Sequence, residues 1–512
     1  MSEPFFLPNY LTGQKMKSQL NRKSISSRAW TVGVSVMFAA VLSACANYAG
    51  IHSDQQMAQP QSYETTQSIP SENGHWPAAG WANQFGDAQL KALIDEALKN
   101  SPSLDQARAR VASADAYGET AKANTMPKIG ADYSMTRQQY SGTALVPPPY
   151  AGSWQTENKL LASASYDLDL WGKNREALKA AVSQTQASEA DAEVVKLTLT
   201  TSITRTYNQL ARLYDQRDIA AKEVAQRDQI ERIAAGRIAT GLDTEVERKT
   251  AQANVATSHA SLTALDGQIL TTRYQIAALL GAGPDRGLTI QRPTLGVADQ
   301  VLLPDNLPAD LVSRRPDLVA ARWRVDALTH DVKEAKAEFY PDINLSASIG
   351  LDAFGFGRLL TAASRTATAG PAIHLPIFDA GALRAQLKGR YADFDYAVAT
   401  YNQTLVTALS DVATQLAQVR STDAQLVDAE TAQEAAHRAD ELAVLQYKGG
   451  LTNQLTVLNA DMNALSADQA VVDLKMNRRD QQIALAAALG GGYTDTSANT
   501  VTSSSSQSVA AR

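Results

Sequence analysis

Apolar and polar residues alternate with a period of two at four places along this chain. Ile343, Leu345, Ala347, Ile349 and Leu351 interleave with Asp342, Asn344, Ser346, Ser348 and Gly350, and Ile129, Ala131, Tyr133 and Met135 interleave with Gly130, Asp132, Ser134 and Thr136. Partner segments are predicted over about 154–168, with Leu160, Ala162, Ala164 and Tyr166 on one face, and over about 366–378, with Ala367, Ala369, Ile373, Leu375 and Ile377. A loop signal separates the members of each pair: Pro147-Pro148-Pro149 in the first, Gly355-Phe356-Gly357 in the second. The pattern predicts strands with one wet and one apolar face. A length of about ten residues suits a tilted strand crossing a bilayer, and the same alternation describes a half-buried soluble hairpin.

Elsewhere the period becomes helical. Leu405, Leu409, Val412, Leu416 and Val419 step by four and three, matched by Leu199, Ile203, Leu210 and Leu213. This narrow stripe predicts two very long helices, about 175–239 and 384–448, rods of roughly 90 to 100 Å. Each is followed by a shorter return helix ending near Leu280-Gly281 or Leu489-Gly490. A further helix precedes each strand pair, about 86–125 and about 309–340, and is expected to stop at Pro127 and Pro341, because proline cannot continue a helix.

The order of helix, strand pair and long helical hairpin therefore occurs twice. Pro102/Pro316, Leu104/Leu318, Arg108/Arg322, Lys122/Lys336, Pro127/Pro341 and Ile129/Ile343 match at an offset of 214 residues; Gly172/Gly381, Gly241/Gly450 and Gly281/Gly490 match further on. This is a duplicated half-domain, too long for a solenoid repeat, expected over 76–297 and 298–491.

The flanks read differently. Lys15, Lys17, Arg22, Lys23 and Arg28 precede an apolar run from Trp30 to Val41, then Leu42-Ser43-Ala44-Cys45, a resemblance to a bacterial lipobox with residues 1–44 as the signal. Cys45 is the expected lipidation site, and Ala46 after it, in place of Asp, favours the outer membrane. Residues 45–75, rich in Gln, Ser and Pro, are expected to be a flexible tether, and 492–512 a disordered tail.

Composition narrows the function. Cys45 is the only cysteine, which excludes an intramolecular disulfide and a multi-cysteine metal site. Removing residues 1–44, with their five basic residues and Glu3, takes the formal charge from -6 to -10, a poor balance for nucleic acid. No P-loop, nucleophile elbow, HExxH or dinucleotide glycine pattern is present, and His52, His75, His259, His330, His374 and His437 are scattered without ligand spacing. The reading is no enzyme and no cofactor beyond a covalent lipid. Asp167 and Asp169, two apart at a strand end, are assigned to structure.

If the strands lie in a membrane, four of them cannot close a barrel, so several copies must share one, continued by their helices as a cylinder. Leu311-Val312-Ser313-Arg314-Arg315-Pro316-Asp317-Leu318, Phe339-Tyr340-Pro341, Tyr166-Asp167-Leu168-Asp169-Leu170-Trp171-Gly172 leading to Arg175, and the turns Gly241-Leu242-Asp243-Thr244 and Gly450-Leu451-Thr452 carry a specific resemblance. Over about residues 80–490 the chain resembles TolC-type outer-membrane factors, in particular their NodT-like lipoprotein branch. The resemblance implies a homotrimer with a twelve-stranded transmembrane β-barrel and a periplasmic α-helical tunnel, lipid-anchored in the outer membrane of a Gram-negative bacterium. It implies passive conduction in a tripartite efflux system, with an inner-membrane pump of the resistance-nodulation-division or major-facilitator type supplying energy.

It also implies that Gly241, Leu242, Thr244, Gly450, Leu451 and Thr452 lie at tips that dock a periplasmic membrane-fusion adaptor. Glycine there is equally what any helical hairpin needs as a C-cap. Near the second tip the family carries acidic pore residues in a Leu-Asp-x-Leu-Asp-Ala-like run. Here Leu455-Thr456-Val457-Leu458-Asn459-Ala460 is neutral, leaving Thr456, Asn459 and the next carboxylate, Asp461, as constriction candidates, with a solvated helix charge as the other reading of Asp461. The competing reading, a periplasmic coiled-coil adaptor or scaffold lipoprotein, would share the anchor and helices but lack the paired strands.

Overall fold

The computed structural model of the protein describes residues 48–143, 147–241, 244–296, 303–305 and 307–495. Cys45 and Leu242 lie outside the described residues.

The first predicted helix is two. Helix α1 (Ala88–Asn100) ends at Ser101, and α2 (Pro102–Asn124) begins with Pro102 in its first turn. Strands β1 (Lys128–Gln139) and β2 (Trp154–Asp167) follow. The long helix α3 (Lys173–Ala239) turns at Gly241 into α4 (Glu245–Leu279), and a short α5 (Asp285–Leu288) closes the half. The second half repeats this with α6 (Leu307–Arg314), α7 (Pro316–Ala337), β3 (Asp342–Phe354), a four-residue α8 (Phe356–Leu359), β4 (Arg365–His374), α9 (Ala382–Lys448) and α10 (Gln454–Ala488). The expected continuous helices over 86–125 and 309–340 are both broken at X-Pro, since proline lacks the N–H that a continuing helix needs and pushes the preceding residue to extended angles. Ser101 has ψ 123° and Arg315 has ψ 120°.

Each break has a partner. The C-terminal glycine of α4, Gly281 (φ +73°), sits so close to the break between α1 and α2 that a Cβ would stand 2.5 Å from the Asn100 carbonyl; for Gly490 (φ +90°), after α10, it would stand 1.9 Å from the Arg314 carbonyl. The end of α4 thus abuts the start of α2, and the end of α10 abuts the start of α7. Arg315 fastens the second junction, donating to the Asp317 carboxylate (2.7 Å) and the Ala488 carbonyl (3.3 Å).

The result is a wall of side-by-side helices. Near the strands its neighbours run α2–α3–α7–α9; beyond the junctions, α3 and α9 continue while α4 and α10 replace α2 and α7. The predicted heptad positions are the seams: Leu199, Ile203, Leu210 and Leu213 are buried in one core cluster, Leu405, Leu409, Val412 and Leu416 in the other. No described helix is long and apolar enough to cross a membrane.

The segment expected to be a flexible tether is held against the wall over residues 48–75. Tyr48 meets Phe339 edge to face, Ile51 is buried among Val332, Ala335 and Leu387, and Asn402 accepts from Ala58 N–H at 2.7 Å. The low average hydropathy conceals Tyr48, Ile51 and Ile69, three apolar anchors that each find a groove between α7 and α9 or at the base of α7. At the other end, Asp495 is buried against Arg322, so the described start of the expected disordered tail, 492–495, is packed as well.

Candidate functional site

The four strands form one antiparallel sheet in the order β1-β2-β3-β4. Its register decides the chemistry of the two faces. Ile129 pairs with Ala164, Tyr133 with Leu160, Ala162 with Ile349, Tyr166 with Leu345, and Ala347 with Ala369, so every apolar set falls on one face. The opposite face pairs Gly130 with Ser163, Ser165 with Ser346, Ser348 with Thr368 and Lys159 with Asp352. A slip of one residue would invert every side chain. At Gly350 the register admits no side chain, because a Cβ there would stand 2.0 Å from the Leu160 carbonyl oxygen.

Among the described residues nothing covers the apolar face. Ile129 is 83% exposed, and Tyr133, Met135, Leu160, Leu345, Ile349 and Ile373 are exposed with it. A soluble hairpin of this pattern would bury that face against a helix; among the described residues no long helix packs across it. Aromatic residues bracket the sheet instead. Toward the loops, Tyr140 and Tyr150 pack on Phe354 at 5.3 and 5.0 Å, beside exposed Trp154 and Phe356. Toward the helices, Trp171 stacks on Tyr340 at 4.7 Å and donates its Nε1–H to the Pro341 carbonyl at 2.9 Å, beside exposed Phe378. From Trp154 to Tyr166 the strand spans about 40 Å, or about 30 Å along the normal at the usual 40° tilt, which matches a bilayer's hydrocarbon core.

Asp169 accepts from the Arg175 N–H at 2.9 Å, and Asp167 accepts from the Asn344 amide, so both serve the strand-to-helix corner.

At the far end of the wall are two helical hairpins. Gly241 (φ +71°) and Gly450 (φ +73°) take the left-handed conformation that closes each turn. Thr244 opens α4 with a reciprocal capping box: its hydroxyl accepts from Val246 N–H at 3.2 Å while its own N–H donates to Glu247 at 3.0 Å. Asn453 caps α10 by accepting from Thr456 N–H at 3.1 Å. Leu451 is 82% exposed, and Val246 and Leu455 are exposed nearby, while Thr452 is half-buried.

Of the constriction candidates, Thr456 and Asn459 are exposed on α10, three residues apart. Asp461 does not join them. It is 3% exposed, turned toward α3, with Arg227 Nη2 at 3.2 Å from its Oδ2 but without hydrogen-bond alignment. Burial, with Asp440 and Glu223 adding repulsion, pushes its carboxyl up to about 6, and Arg227 only partly opposes this. Sequence spacing could not show this, because it gives no rotation of α10 against α3.

The chain matches the profile of the family described as outer membrane efflux protein at residues 93–282 and 307–491. It is 32% identical to the multidrug resistance outer membrane protein MdtP of Shigella flexneri, over 88% of this chain and 94% of that protein. It is 31% identical to the pyoverdine export outer membrane protein OpmQ of Pseudomonas aeruginosa, over 81% and 87%. Among solved structures, the outer membrane protein VceC of Vibrio cholerae superposes with a TM-score of 0.77 at 36% identity, covering 81% of this chain and all of that one. The outer-membrane channel OprN superposes with a TM-score of 0.77 at 27% identity, covering 86% and 97%.

Proposed function

The chain belongs to the outer membrane efflux protein family and is an outer-membrane efflux channel; on that premise we propose that three copies close one duct, which receives solutes from an adaptor and an inner-membrane pump. The exposed apolar face of the sheet carries this reading, taken together with its open edges. Among the described residues strands β1 and β4 are unpaired on their outer sides, and unsatisfied backbone groups cost several kcal/mol each in lipid. The edges are placed to pair. Strand β1 continues edge helix α2, and β4 leads into edge helix α9, so one copy's β4 and α9 meet the next copy's β1 and α2 along a single seam. Such a head-to-tail contact closes into a ring. Three copies give twelve strands, above the minimum of about eight for a membrane barrel.

The position of Tyr48 supports a lipid anchor at Cys45. Tyr48 sits at the helix-side aromatic belt, three residues after Cys45, so acyl chains on Cys45 would enter the periplasmic leaflet within about 10 Å of it. The exposed apolar tips at Val246, Leu451 and Leu455 suit docking of an adaptor's helical hairpin, with Gly241, Leu242, Thr244, Gly450 and Thr452 shaping the turns. Thr456 and Asn459 are the residues proposed to line the aperture.

Detergent-purified protein inserted in planar bilayers should give stepwise ion conductance and run as a trimer by light scattering. A protein that stays monomeric and soluble without detergent after removal of the lipid would refute the channel assembly.

A further inference from the structure

A cavity of about 450 Å³ opens on the wall where α3, α7 and α9 meet, close below the sheet. We propose that it is a transit subsite for amphiphilic cations, one per protomer, facing the lumen; this rests on the duct reading above. The side on which it opens follows from the strap at 48–75. That strap meets α7 and α9 through Lys336, Asp395 and Asn402; with the proposed anchor at Cys45 it descends from the lipid side and lies outside the duct. At about 100° per residue, Glu334 projects from α7, and Tyr396 and Thr400 from α9, on the side away from the strap contacts Lys336, Asp395 and Asn402.

The chemistry of the lining selects the ligand. Its floor is alanine from α3 and α7, with Leu328, an apolar bed for a hydrophobic body. Its rim carries carboxylates in excess. Arg324 is already paired with Asp191, Asp331 has Arg390 at 3.7 Å, and the Glu334 carboxylate makes no hydrogen bond or ion pair among the described residues. Half-burial raises both Asp331 and Glu334 above their ordinary values; Asp393 adds repulsion at Asp331, Asp331 and Glu338 add it at Glu334, and Arg390 only partly opposes either shift. A bound cation relieves that repulsion; an anion would add to it. Tyr396, 76% exposed, offers a ring face for cation–π contact. The volume lies within the range of small-molecule sites.

The test uses rhodamine 6G as the cationic probe and fluorescein as the anionic one, titrated by fluorescence anisotropy against the purified full-length trimer. Partition of dye into detergent is common to all variants and cancels in the comparison. The wild type should bind rhodamine 6G saturably and fluorescein not at all. Glu334→Gln with Asp331→Asn, and separately Ala327→Leu, which fills the floor, should each weaken rhodamine 6G binding about tenfold. Unchanged affinity in both variants, absence of saturable binding in the wild type, or equal binding of fluorescein would overturn the site. Bilayer conductance of the same samples stands apart: a wild type that binds the dye through these residues but never conducts keeps the site and sinks the duct.

Discussion

Two single residues carry measurable consequences. Asp461 is ordinary in sequence, a carboxylate one step beyond a neutral run, and the fold makes it a buried acid. Its folded value near 6 lies above the unfolded value near 4, so the native state binds the proton more tightly. Stability of the hairpin tip should therefore rise as pH falls from about 6 to about 4, by about 3 kcal/mol over the window, and be lowest above it. Amide-exchange protection of the α10 start, corrected for intrinsic rates, should be higher at pH 5 than at pH 7.5. Asp461→Asn should abolish that difference, which separates Asp461 from the nearby His437–Asp468 pair. Gly350 is the second case. Alanine there meets the Leu160 carbonyl, and the strand must move; Gly350→Ala should cost on the order of 2 kcal/mol per protomer, read as a lower temperature of trimer dissociation on semi-native gels.

Elements were mostly visible from pattern. The long helices, the strands and both glycine turns lie close to where the pattern put them, β4 ending at His374 short of the predicted Leu375 and Ile377, because a period of two or a four-three step is local and each side chain reports its own face. The first helix of each half was not, although Pro102 and Pro316 were in view. Proline is compatible with the first turn of a helix and with a break, and only the docking of Gly281 and Gly490 on the two broken ends shows why a break is needed. At those junctions, Gly490→Ala should destabilise more than Gly450→Ala. Both lose the left-handed conformation, about 1 kcal/mol, but only Gly490 also collides with backbone. Thermal unfolding of the two variants side by side checks the order. At the tips, Leu451→Asp should leave trimer and conductance intact while weakening crosslinking to a co-expressed adaptor.

On the scale of the whole molecule, the proposed assembly makes the protein one protomer's share of a ring. Alternation and duplication were sufficient to specify strands and rods, since each is written in nearest-neighbour order along the chain. They left a soluble hairpin and a membrane strand indistinguishable, since both have one apolar face. That question was settled by what the helices do not cover: the apolar face of the sheet stays bare while every heptad seam is filled. The rotation of Asp461 into the wall, the binding of residues 48–75 along α7 and α9, and the cavity between α3, α7 and α9 depend on contacts between residues far apart in the chain. Periodicity fixes which face of a helix is apolar; only packing fixes which neighbour that face meets.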